Sequence, residues 1–99
     1  MKLIRDLSEM ITEEISDAKR YAMCGIELKD EEPELAKLFT QLATEELGHA
    51  MRLHDHVTRI IRNYREEHGE PPASMMAVYE YLHKKNIDAA TEVKILLSN

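Results

Sequence analysis

From Ile4 to Leu28 the chain marks one face in strict steps of three and four residues: Ile4, Leu7, Ile11, Glu14, Ala18, Tyr21, Gly25, Leu28. That period belongs to a helix, since a half-buried strand would alternate every second residue. A second seam repeats it through Leu35, Leu38, Phe39, Leu42, Glu46, His49, Leu53, Val57, Ile60 and Tyr64. Between the two, Lys29-Asp30-Glu31-Glu32-Pro33 reads as a turn, because Pro33 cannot continue a helix yet suits the first turn of the next one. The pattern therefore predicts an antiparallel two-helix hairpin over about 3–68, with Asp6 or Ser8 as N-cap near its start.

Gly69-Glu70-Pro71-Pro72 is the clearest break, since glycine ends helices and paired prolines forbid their continuation. A shorter helix is predicted over about 73–97, with Met75, Tyr79, Leu82, Ala89, Val93 and Leu96 on its apolar side. Gly and Pro number only three each and Trp is absent, a helix-forming composition without strand character. The expected class is all-α, in a single domain across 1–99.

The formal net charge of −6 argues against a nucleic-acid partner, which would call for a basic patch. One cysteine, Cys24, excludes an internal disulfide framework and a four-cysteine metal knuckle, so a reducing, cytoplasmic setting is expected. No stretch has the length and apolarity of a signal peptide or a membrane span.

Against this background Glu46 and His49 are out of place. They put a carboxylate and an imidazole one turn apart within the leucine-rich stripe of the second helix, and Glu14 is the one charged member of the first seam. Burying an unpaired charge costs several kcal/mol, so such groups require a partner. Counting outward from Glu31, Glu14 lies seventeen residues back, Glu46 fifteen on and His49 eighteen on. At about 1.5 Å rise per residue the three share one level of an antiparallel pair. Neither helix's pattern requires that of the other; a metal ion accounts for it, the alternative being a satisfied polar layer in which His49 hydrogen-bonds a glutamate.

Three ligands are too few for a pair of ions, and a hairpin leaves its apolar stripe uncovered. Pairing two chains across a two-fold axis answers both needs, giving a four-helix bundle with four carboxylates and two imidazoles at its centre. A Glu from each of two helices and a Glu-x-x-His from each of the others is the ligand set of di-iron carboxylate bundles.

The stretch from Glu14 through Tyr21 to Glu46-Leu47-Gly48-His49 resembles the ferritin-like superfamily, its rubrerythrin branch most closely. The resemblance covers about half of that family's bundle, residues 5–65, and the second half is absent from this chain. It is similar in this to encapsulated ferritin-like proteins, which implies an obligate homodimer, a higher oligomer of dimers and an encapsulating shell as partner. It further implies Glu14 and His49 as terminal ligands, Glu46 as a bridging ligand and Tyr21 as a hydrogen-bond donor behind them. The activity implied is oxidation of Fe(II) by dioxygen or hydrogen peroxide at a di-iron centre; manganese or zinc suits the same ligand types. The alternatives are a rubrerythrin-like peroxidase fed by an external electron donor, and a metal-free helical adaptor.

Other residues read differently. Glu13 and Glu45 flank the seams and would replace Glu14 and Glu46 only if a helix rotated; Asp17, also flanking, suits an outer shell. A second Glu-x-x-His, Glu80 to His83, is expected at the periphery, and His54 and His56 at an exposed bundle end. Cys24 reads as packing. The tail Val93–Asn99 is either a cargo peptide or a helix end.

Overall fold

A computed structural model describes residues 2–98, and among them every regular element is helical. Helix α1 spans Lys2–Glu27, α2 Pro33–His68 and α3 Ala73–Leu97. Pro33 opens α2, Glu34 places a negative charge in its first turn, and Arg65 and His68 lie in its last, each complementing the helix dipole. Gly69 ends it at φ 81°, a left-handed backbone that glycine adopts without strain. The expected caps Asp6 and Ser8 are not caps. Because α1 starts at Lys2, both lie inside the helix, and Ser8 is buried.

The contact between α1 and α2 differs from the expected leucine seam. On α1 the buried residues are Ile4, Ser8, Ile11, Ile15, Ala18, Ala22 and Gly25; on α2 they are Ala36, Ala43, Ala50, Val57 and Ile61. Small side chains crowd the turn end, where the backbones come close enough that a Cβ on Gly25 would meet Thr40 Oγ1 at 3.0 Å and the Ala36 carbonyl oxygen at 3.2 Å. Isoleucine and valine fill the other end. Leu35 and Leu38 remain 40 % and 47 % exposed, and Leu42 and Leu53 half-buried. Packing has chosen residues by how closely they let two helices approach, not by hydrophobicity alone.

Helix α3 lies along one flank of the hairpin and packs chiefly on α1. Asn86 meets Ser8 and Thr12, and further along Lys19 pairs with Glu92 at 2.9 Å. Contacts advance in the same direction on both helices, so α3 runs parallel to α1 and antiparallel to α2. Asn86, buried in this interface, accepts from the Thr12 hydroxyl at 2.9 Å and donates to the Ser8 carbonyl at 3.4 Å, which satisfies its amide. Val93 is sealed completely one heptad on.

The result is a rod, 56 × 19 × 18 Å, with a radius of gyration of 16.2 Å. A compact domain of this length would have about 13 Å. Among the described residues, the other flank of the hairpin has no helix against it, and no helix is long and apolar enough to cross a membrane.

Candidate metal centre

That uncovered flank carries the ligands. Glu14 rises from the middle of α1, and Glu46 and His49 stand one turn apart on α2, so the two helices present them side by side. His49 Nδ1 lies 3.3 Å from Glu14 Oε2 and 3.5 Å from Glu46 Oε1. One ligand atom from each of the three falls within 4.8 Å of the others. Atoms bound to one ion at about 2.1 Å sit at most about 4.2 Å apart, so small rotamer changes bring this set to coordination distance. Two carboxylate oxygens and an imidazole nitrogen are also the donors that iron and manganese take. The residues fit a metal ion.

The expectation that these side chains face the core is corrected by their exposure. Glu46 is 20 % exposed, Glu14 29 % and His49 45 %. They stand on the shoulder of the seam, because the alanine ridge rotates the leucine-rich stripe outward. Exposed Leu3, Met10, Leu35 and Leu38 share that outward side.

Electrostatics single out Glu46. A hydrogen bond shared with Glu14, then partial burial, then the Glu14 charge raise its carboxyl above the ordinary value, while His49 pulls it down and Asp17 adds a smaller push upward. Two carboxylates at this distance hold a proton between them more readily than either would alone. His49 Nδ1 lies within hydrogen-bond distance of Glu14 Oε2, the direction of that bond being set by the imidazole tautomer.

The flanking candidates separate. Glu13 and Glu45 are exposed and turn away from the cluster. Asp17 is half-buried, and its carboxylate accepts from Arg20 at 3.3 Å. The Tyr21 ring stacks on Phe39 with centroids 6.0 Å apart and lies under the Arg20 guanidinium at 5.8 Å. Its hydroxyl makes no side-chain hydrogen bond to the ligands.

Sequence reasoning misplaced two histidines. His54 and His83 are half-buried on the other flank, their rings stacked 4.7 Å apart and inclined by 6°, with Tyr79 stacked on His83 at 5.6 Å. Glu80 is exposed, as expected, and so is His56, whose Nδ1 accepts from Arg59 at 2.9 Å. Asn86 was also missed. Its place seven residues from both Tyr79 and Val93, on the buried stripe of α3, was the available signal.

A family model described as Rubrerythrin matches residues 6–96, nearly the whole chain. No curated protein and no solved structure matches it.

Proposed function

The chain belongs to the rubrerythrin family, and on that footing we propose that it is a di-iron protein of ferroxidase type, working as a homodimer for iron storage or detoxification. The observation that carries this reading is the convergence of Glu14, Glu46 and His49 on an open, leucine-flanked face of the hairpin. A second copy laid on that face doubles the ligand set and covers the exposed leucines in one step. Bound iron supplies the redox chemistry, giving electrons to dioxygen or hydrogen peroxide.

The chain's own residues do the rest. Glu14 from α1 and Glu46 and His49 from α2 would hold the ions, with Glu46 as the carboxylate shared between them. The Glu46 carboxyl, which binds its proton more tightly beside Glu14, would give up any proton it holds when a metal is loaded. Tyr21 and Phe39 form a stacked apolar wall one heptad from Glu14 that limits water on that side. Asp17, beside the cluster, adds negative potential that attracts Fe(II).

The experiment is anaerobic Fe(II) titration followed by rapid-mixing oxidation. Two irons per dimer are expected, with stoichiometric binding lost in Glu14→Ala and in His49→Ala. A variant that still binds two irons per dimer and oxidises them at the original rate sinks the assignment. Stoichiometric iron binding by a wild-type protein that stays monomeric, lost in the same variants, would retain the ligands and reject the shared site.

The family match favours a second reading, a peroxidase at the same centre. With one cysteine in these 99 residues, its electrons would come from a separate donor. Peroxide turnover with a reductant, set against net iron oxidation, distinguishes the two. Protein that takes up no metal at all would be a helical adaptor instead.

A further inference from the structure

The flank opposite the ligands holds a cluster that iron chemistry does not use. We propose that His54 and His83 form a proton-operated latch, holding α3 against α2 while both imidazoles are neutral and releasing it when they become charged.

The two rings form a close stack. The rings lie nearly parallel with centroids 4.7 Å apart, and Tyr79 extends the stack from one turn earlier on α3. This stack joins α3 to α2, whereas the polar anchors of α3, Asn86 and Glu92, fall on α1. Adding protons brings two positive charges face to face at that distance.

The charged groups near the pair all stand in solvent. From α1 the polar neighbour is uncharged Ser8, while Lys2 and Arg5 border the adjoining groove beside Tyr79 and Lys94 of α3 lines the same cavity as the pair, all adding positive potential. On α2, Asp55 follows His54 but is exposed. On α3, Glu80 precedes His83 by three residues, is exposed, and forms no ion pair among the described residues; Lys84 and Lys85 follow, exposed. Consistently, burial and then His54 hold His83 below its ordinary imidazole value.

The sign follows from linkage. A histidine whose proton is bound less tightly in the docked state favours docking above its free value of about 6.5. Docking then weakens as pH falls through that value, until the docked pair is itself protonated. The connection at Gly69, Pro71 and Pro72 supplies a pivot at the end nearest the stack. Because the Asn86 contacts persist, α3 swings from α2 while staying on α1. The swing opens the cavity of about 330 Å³ that lies among the three helices and is floored by Ile11, Ile15, Leu47 and Ala50.

The test is amide hydrogen exchange on the full chain, without added metal, near pH 7.5 and pH 5, corrected for intrinsic rates. Protection over 76–84 is expected to drop about tenfold or more at the lower pH, with the segment around Asn86 and the seam around Ala18 and Ala43 unchanged. The double variant His54→Phe with His83→Phe keeps ring plates but cannot charge, and should show no such drop. Unchanged wild-type protection, or an equal drop in the double variant, overturns the latch. Should that variant fail to fold, the imidazole titration of His83 in the wild type decides: a midpoint at or above that of a free histidine rejects the proposal. Glu14→Ala should keep the full response, so the latch stands or falls separately from the iron reading.

Discussion

The two flanks of the hairpin share one seam and have opposite fates. On the flank covered by α3, polar groups find partners within the chain: Asn86 is satisfied by Thr12 and Ser8, and the histidines stack on each other. On the open flank, Glu14, Glu46 and His49 have only one another, and the leucines beside them stay in water. A polar cluster already satisfied inside the chain is an element of structure. One that is like-charged, half-wet and ringed by exposed apolar side chains is built for something not yet bound.

The contrast can be broken most forcefully by cutting both flanks alike. Ile15→Ala, at a site 4 % exposed beneath α3, should lower stability by about 2–5 kcal/mol. Leu38→Ala, 47 % exposed, should change a dilute monomer by no more than about 0.5 kcal/mol. Denaturant midpoints at low concentration measure both; equal losses would mean that the open flank is already packed within one chain.

A second, smaller effect sharpens the comparison in the assembled protein. Leu38→Asp leaves the monomer's fold intact but sets a charge among the leucines, and should weaken self-association by at least about tenfold, or about 1.4 kcal/mol. Sedimentation across a concentration series reports this. Dissociation unchanged by the substitution would place the subunit contact elsewhere.

The smallest effect concerns Glu46. Its raised carboxyl contributes stability that is present below its ordinary value of 4.5 and is lost as pH rises through the folded value. Glu46→Gln imitates the protonated form at every pH, so at neutral pH the metal-free variant should be slightly more stable than the wild type while binding less iron. Thermal unfolding at pH 7 and pH 4, without metal, checks the sign: the gain should shrink at the lower pH.

The helix limits were legible because period, Pro33, Gly69 and the paired prolines all act locally. The convergence of Glu14, Glu46 and His49 was legible too, since counting from a short turn fixes height in an antiparallel pair. The facing of the helices was not. A hydrophobicity ranking picks Leu35, Leu38 and Leu42, whereas the close approach around Gly25 selects Ala36 and Ala43, and no residue scale contains that distance. His54 and His83 were out of reach for a related reason: they meet across a linker whose angle sets the register of α3, and periodicity says nothing of angle.

Asn86 has a consequence for that register. A seven-residue repeat is ambiguous, since sliding α3 by one heptad would bring Tyr79 or Val93 opposite Thr12, and either would pass as apolar. Such a slide would strand the Asn86 amide in the apolar interface, costing about 1–3 kcal/mol, and so one alignment is singled out from several near-equals. An otherwise repetitive surface acquires an address.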